Sequence, residues 1–302
     1  MTVFHRMLST QALMLVYILL GAIGSKIGWI RREGRPTLIN LLIDITLPCM
    51  ILHSFEREVS EAELLSAGQA LLISAACCLV SYGIGLLLWR KQAPARRAVL
   101  VFATMFSNAG NAGLPIVALV FGDTGVFYTS FFLIPIRVLL WTLGLSLFVP
   151  GRGEQKWKAL VLNPSLLIVF VGLAVMLIPI RLPSELSMAV ANVGNMTGPL
   201  SMMIIGASLA DMKPKDALDG GAWGLALVRL VAMPLLCYVV LRLLKVDDLL
   251  TCVATTLLAM PAATNTAIIA EKYGCDYLFA AKCVFVTTIL SLATAPCVSL
   301  LF

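Results

Sequence analysis

An all-α integral membrane protein of about ten transmembrane helices is the fold class this sequence predicts, and three observations predict it. Of the 302 residues, 60% are hydrophobic and only 13% charged, and the mean hydropathy is +0.97. A soluble domain is roughly 45–50% apolar and about 25% charged, so these charges are too few to cover a water-facing surface and lipid must be the outer solvent. The apolar residues also fall in long runs, and a bilayer core about 30 Å thick takes about 20 residues per helix. Finally, the cations sit in short clusters between those runs, as they do in cytoplasmic loops.

Taken in order, the spans run Thr10–Ile30, Thr37–Ser54, Leu64–Trp89, Ala95–Phe121 and Thr124–Val149 in the first half. The second half continues with Ala159–Ile180, Ser184–Ala210, Ala222–Leu244, Leu249–Ala270 and Tyr277–Leu301. The first run is too long for a signal-peptide core and lacks a small-residue cleavage site before Lys26, so it counts as a true span. Loops after the odd-numbered spans carry most of the positive charge, among them Arg31, Arg32, Arg35, Arg96, Arg97 and Lys158. The opposite side carries few cations, chiefly Arg57, Arg181 and Arg242. The positive-inside rule then places the odd loops in the cytoplasm and both termini outside, in a multi-pass protein of the cell inner membrane.

The basic linker 150–158 divides the chain into halves 1–149 and 159–302 of five spans each. An odd number of spans per half makes the second half enter the membrane from the opposite side, so two repeats would be inverted repeats. Prolines recur at matching intervals: Pro48 answers Pro199 and Pro115 answers Pro261, at offsets of 151 and 146 residues.

Several function classes fall away. Net charge is +6, but no basic stripe interleaved with aromatics is present, so no nucleic-acid partner is expected. The eight cysteines form no CxxC pair and seven of them sit inside apolar runs as small fillers, while His5 and His53 lie near span ends; no metal site is expected. Neither HExxH, GxSxG nor a nucleotide-binding glycine loop occurs, so no catalytic residues are assigned.

The stretch that carries chemistry is Ser107-Asn108-Ala109-Gly110-Asn111-Ala112-Gly113-Leu114-Pro115, midway along span four. Pro115 lacks an N–H and its ring meets the carbonyl of Asn111 in a regular helix; Gly110 and Gly113 weaken the helix further. Asn108 and Asn111 bring amides to membrane depth, where broken backbone survives only against protein or a water-filled cavity. Span nine repeats the device as Met260-Pro261-Ala262-Ala263-Thr264-Asn265-Thr266. Two interrupted helices at corresponding places point to the substrate site of a secondary transporter; the bland reading is a pair of packed kinks.

Arg137, Arg229 and Lys282 fall inside spans, where a basic residue at the helix centre costs roughly 2.5–3.5 kcal/mol. Lys282 is near enough to a span end to snorkel, and Arg229 lies about two turns inside span eight. Arg137 is about 18 Å from either end of span five, so it either pairs with a buried acid or faces the path of an anion. Asp44 in span two is the matching acid, as a cation or proton site or as a counter-charge for one of these bases. The candidate substrate-binding set is therefore Asn108, Asn111, Gly113, Pro115, Arg137, Pro261, Thr264 and Asn265, with Asp44 as the ion or charge-pair candidate.

With these residues in view the sequence resembles the auxin efflux carrier family, through Asn108–Pro115 with Phe121-Gly122, Gly206-Ala207-Ser208-Leu209-Ala210 and Glu271-Lys272-Tyr273-Gly274. The resemblance implies two inverted five-helix repeats with broken helices four and nine crossing, Pro115 and Pro261 at the crossing and Asn111 and Asn265 lining it. It further implies a scaffold of spans one, two, six and seven, a mobile transport domain of spans three to five and eight to ten, and a homodimer. The implied function is efflux of small organic anions such as carboxylates by alternating access, without a bound cofactor; a coupling H+ or Na+ is left open. The alternatives are a sodium- or proton-coupled organic-anion importer on the same fold and a membrane sensor that transports nothing. Relatives in plants carry a long cytoplasmic central loop that is absent between residues 150 and 158, so their regulation is not carried over.

Overall fold

The structure is a computed structural model, and it describes residues 3–56, 60–148, 167–168, 171–172, 174–175, 183–210 and 219–302. The linker 150–158 and most of span six lie outside the described residues. Among the described residues the fold is helical throughout, its one β feature being an isolated antiparallel bridge between Ser107 and Ala262. Five stretches among the described residues are long and apolar enough to cross a membrane: Arg32–Phe55, Glu61–Leu88, Ala109–Gly144, Gly220–Leu243 and Tyr277–Leu301.

The first helix, α1 (Val3–Lys26), is followed by α2 (Arg35–Leu41), α3 (Leu47–Phe55) and α4 (Glu61–Leu88). The capping box of Ser60 and Glu63 fixes where α4 begins, each satisfying a backbone N–H of the other. Next come α5 (Pro94–Met105) and α6 (Leu114–Leu139). The second half contributes α7 (Ser184–Asn195), α8 (Thr197–Leu209), α9 (Gly220–Leu227), α10 (Met233–Leu243), α11 (Asp248–Leu258), α12 (Asn265–Lys272) and α13 (Tyr277–Val298).

Proline explains three irregular turns. Wide turns with i→i−5 hydrogen bonds occupy Leu42–Thr46, Ala109–Gly113 and Val228–Ala232, and Pro48, Pro115 and Pro234 each lie two residues beyond. The carbonyl that a proline ring would strike is four residues back. That places it at Asp44, Asn111 and Leu230, the middle residue of each wide turn. Widening the helix there moves the carbonyl aside without ending the helix.

The glycines of the sequence motifs have separate geometric reasons. Gly122 takes φ 65°, ψ −159° and breaks the helix between the regions assigned to spans four and five. Gly274 (φ 69°) ends α12 in a Schellman turn, in which the Cys275 N–H reaches back to the Ala270 carbonyl at 2.8 Å. Gly206 and Gly21 let α8 and α1 touch backbone to backbone: a side chain at Gly206 would meet the Ile18 carbonyl, and one at Gly21 the Met203 carbonyl. Small residues at such a crossing are how membrane helices approach closely without a hydrophobic driving force.

The helices pack in pairs. Helix α1 packs along α8, and α3 along α7, where a Cβ on Gly194 would lie 2.8 Å from the Met50 backbone. Helix α4 packs on α5 and α6, α11 on α6 and α10, and α13 on α9 and α12. Polar side chains tie helix ends together. Arg96 pairs with Asp276 at 3.2 Å and Asp219 at 3.6 Å and covers the Phe279 ring at 4.5 Å. Both carboxylates also cap helices, Asp219 accepting from the Gly221 N–H and Asp276 from the Phe279 N–H. The starts of α5, α9 and α13 therefore share one end of the molecule. Elsewhere the Ser187 hydroxyl donates to Glu56, joining the start of α7 to the end of α3.

Candidate functional site

Helix α5 stops because the backbone leaves the helical region at Phe106 (φ −112°, ψ 115°). Helix α11 stops at Ala259, and the chain runs on through Pro261 before α12 begins. These two interruptions meet. The Asn108 N–H donates to the Pro261 carbonyl at 2.8 Å, and the Ala263 N–H donates to the Phe106 carbonyl at 3.1 Å. Backbone groups released by the breaks thus satisfy one another across the crossing, which answers the requirement that buried N–H and C=O groups be paired. The Ala262 N–H, facing away from that ladder, donates to Thr287 Oγ1 of α13 at 3.1 Å.

A helical turn starts on the far side of each interruption. Asn108 lends its carbonyl to the N–H groups of Ala112 and Gly113, opening the wide turn that leads into α6. Ala263 and Thr264 accept from Thr266 and Ala267, opening α12. The first N–H groups of a helix have no partner within it and carry the positive end of its dipole. Two such ends begin at one crossing, each within a few residues of the other strand.

The site residues expected from sequence divide by accessibility. Asn108 (6% exposed), Gly113, Pro115 and Pro261 are buried. Gly113 is close-packed, since a Cβ there would lie 2.8 Å from Leu257 and 3.1 Å from Met260, so its place is in the packing of the crossing rather than on an accessible wall. Gly110, Asn111, Thr264 and Asn265 keep partial exposure, and all four lie on the first turns after the crossing. Amide and hydroxyl donors together with helix N-termini form a surface suited to an anion or a polarised carbonyl.

Arg137 lies in the last turn of α6, partly buried, with its Nη1 buried and without a hydrogen-bond partner among the described residues. Asp44 is exposed and forms no ion pair with Arg137 or Arg229 among the described residues.

Three residues outside the expected set make hydrogen bonds at or near the crossing: Thr104, Arg229 and Thr287. Arg229 is 1% exposed, and its Nη1 donates to the Thr104 carbonyl at 2.8 Å. Thr104 in turn accepts from Trp89 Nε1 at 3.0 Å and donates to the Leu100 carbonyl at 2.7 Å. The signal available in the sequence is the basic residue five positions before Pro234, which sits in the wide turn before that proline.

Comparison with known proteins identifies the family of the chain. A family model described as Membrane transport protein matches residues 6–156 and 152–299, two segments that meet in the basic linker. The chain is 25% identical over 291 residues to an uncharacterized transporter of Methanocaldococcus jannaschii, covering 93% of this chain and 94% of that one. It is 26% identical over 304 residues to an uncharacterized transporter of Methanothermobacter thermautotrophicus, covering 97% and 98% respectively. A protein of Rhizobium meliloti named "Putative malonate transporter" is 23% identical over 287 residues, covering 90% and 85%.

Proposed function

The chain belongs to the membrane transport protein family, that of the auxin efflux carriers, and from this premise we propose that it moves small carboxylates across the membrane by alternating access. The observation that carries the proposal is the crossing itself: two broken helices joined by backbone hydrogen bonds, with Asn111, Thr264 and Asn265 left partly exposed on the turns just beyond. Positive helix ends and uncharged donors bind a carboxylate without the desolvation of a permanent ion pair. The name given to the Rhizobium relative makes malonate the first probe.

The same reading assigns residues 1–149 and 159–302 to two inverted five-span repeats. It places the scaffold in the α1–α3 and α7–α8 group and the moving part in α4–α6 and α9–α13. Support comes from the extensive packing of α1 on α8 and of α3 on α7, and of α4 on α5 and α6; the two groups meet where α3 packs on α6 and α1 on α13. Arg96 with Asp219 and Asp276, and Ser187 with Glu56, also gather loops in the odd and even groups that an alternating ten-span chain requires. The odd group is assigned to the cytoplasm and both termini to the outside.

Reconstituted full-length protein in malonate-loaded liposomes is expected to take up labelled malonate saturably, by exchange, into a closed compartment. Uptake no greater than into protein-free liposomes, for malonate and for a panel of mono- and dicarboxylates, would refute the reading. Turnover of substrate without vectorial movement would point to an enzyme instead.

Arg137 supplies a second expected result. Its unpartnered Nη1 leaves an acceptor position that a carboxylate can fill. Arg137→Lys keeps the charge without the planar fork, and Arg137→Gln loses both. Malonate affinity is expected to fall in the order Arg, Lys, Gln, by about tenfold at the last step, the loss of one charge-assisted hydrogen bond. Melting without ligand should stay unchanged, because no carboxylate among the described residues depends on Arg137. A Gln variant that melts early yet binds malonate normally would give Arg137 a structural role.

A further inference from the structure

Arg229 is the largest fully buried side chain among the described residues, and no carboxylate among them pairs with it. Its neighbours are the end of a half-helix and, on α4, the thiols of Cys77 and Cys78, within electrostatic reach. Leaving a guanidinium without a counter-ion inside a membrane protein is unfavourable, and such residues persist where their charge is used. The position of its hydrogen bond to α5 shows the use. Carbonyls in the last turn of α5 lack helical donors once the backbone departs at Phe106. Arg229 Nη1 supplies the donor for the Thr104 carbonyl, at the negative end of the α5 dipole. Phe106, two residues further and at most about 7 Å along the chain, accepts the Ala263 N–H of the crossing ladder.

We infer that Arg229 is the positioning residue of the crossing and the source of its fixed positive charge. By bonding Thr104 it ends α5 at a defined residue, which sets where Phe106 and Asn108 meet Ala263 and Pro261. Its unneutralised charge lies next to the crossing and favours ligands in proportion to their negative charge. The wide turn that carries Arg229, forced by Pro234, leaves no regular helical register there and lets the side chain turn inward against α5. The positioning half of this inference stands on the geometry alone; the selectivity half rests on the proposal that the crossing binds carboxylates.

The test has two arms on full-length purified protein carrying Arg229→Lys or Arg229→Gln. In the first, hydrogen exchange is followed without any substrate at the amides of Asn108 and Ala263, the two donors of the ladder. Arg229→Gln is expected to lower their protection about tenfold, the loss of one hydrogen bond to a charged group, while amides in α1 and α8 stay as they were. In the second arm, binding of malonate, a dianion, is compared with binding of its monomethyl ester, a monoanion. Arg229→Gln should weaken malonate more than the ester, and Arg229→Lys should restore the ratio of the two. A merely structural role would weaken both probes alike and leave the ratio unchanged.

Wild-type protection of both amides in Arg229→Gln overturns the positioning role, and an unchanged ratio overturns the selectivity role. Should Arg229→Gln not fold, Arg229→Lys decides: a ratio and protection near wild type uphold the inference, and loss of both overturns it. If wild-type protein binds neither probe, the carboxylate proposal and the selectivity role fall together, and the exchange arm still decides the positioning role.

Discussion

Asn111→Ala and Asn265→Ala are each expected to cut the initial rate of malonate uptake by about 10- to 100-fold while leaving a folded, monodisperse protein. The loss derives from the chemistry of the turn. Each asparagine keeps partial exposure on the first turn after the crossing, and a hydrogen bond to a charged group is worth about 1.5–3 kcal/mol. Folding survives because the ladder that holds the crossing runs through the backbone of Phe106, Asn108, Pro261 and Ala263, none of which is altered. The double variant should lose little more than the worse single one if both amides hold the same ligand. Uptake measured against thermal melting separates the effects. Normal uptake by both variants would make these asparagines packing residues and move the site elsewhere.

Gly206→Val should have the larger effect on the protein itself. A Cβ at Gly206 would overlap the Ile18 carbonyl, so α8 and α1 must separate, and their reciprocal contact through Gly21 and Met203 is lost with it. Backbone cannot rotate aside as a side chain can, and overpacking of this kind costs about 3 kcal/mol or more. The expected outcome is loss of monodisperse protein after extraction, or a melting transition lowered by many degrees. Gly68→Ala is the control. Nothing lies within 4 Å of a Cβ there, and a glycine in a helix is destabilising by about 0.5–1 kcal/mol relative to alanine, so that variant should be neutral or slightly more stable. Equal behaviour of the two variants would show that the tight α1–α8 crossing is not required.

These residues also show how far the sequence can be read. The motif Asn108–Pro115 announces a break because two glycines and a proline inside an apolar run are incompatible with an uninterrupted helix. The structure adds that Gly110 and Asn111 stay accessible while Gly113 is packed away, a division that residue type cannot supply. Gly122, Gly206 and Gly274 are legible only as parts of a resemblance. Their reasons differ: a positive φ at Gly122 and Gly274 and a backbone contact at Gly206, and the last depends on a helix nearly two hundred residues away in the chain.

The charged residues inside the spans are the least legible. Arg137 and Arg229 look alike in sequence, each a single base in an apolar run, and depth along the span favours Arg137. Folding distinguishes them. Arg229 is fully buried against the end of α5, whereas Arg137 is partly buried with an Nη1 that has no partner among the described residues. Asp44, expected as a cation or proton site or as a counter-charge for such a base, is exposed and forms no ion pair with either among the described residues.

What the sequence by itself determined is what depends on composition and local stereochemistry: a lipid-embedded helical chain, the positions where its helices must break, and its place in a family of carriers. Hydrophobicity is a property of each segment, and a proline disrupts its own helix wherever that helix packs. Tertiary structure alone decided that the two breaks satisfy each other through Asn108 with Pro261 and Phe106 with Ala263, and that Arg229 closes the end of α5. Those pairings join residues between 125 and about 157 positions apart in the chain. A freed carbonyl in the bilayer must find a donor, but which donor it finds is set by the helices that packing brings alongside it.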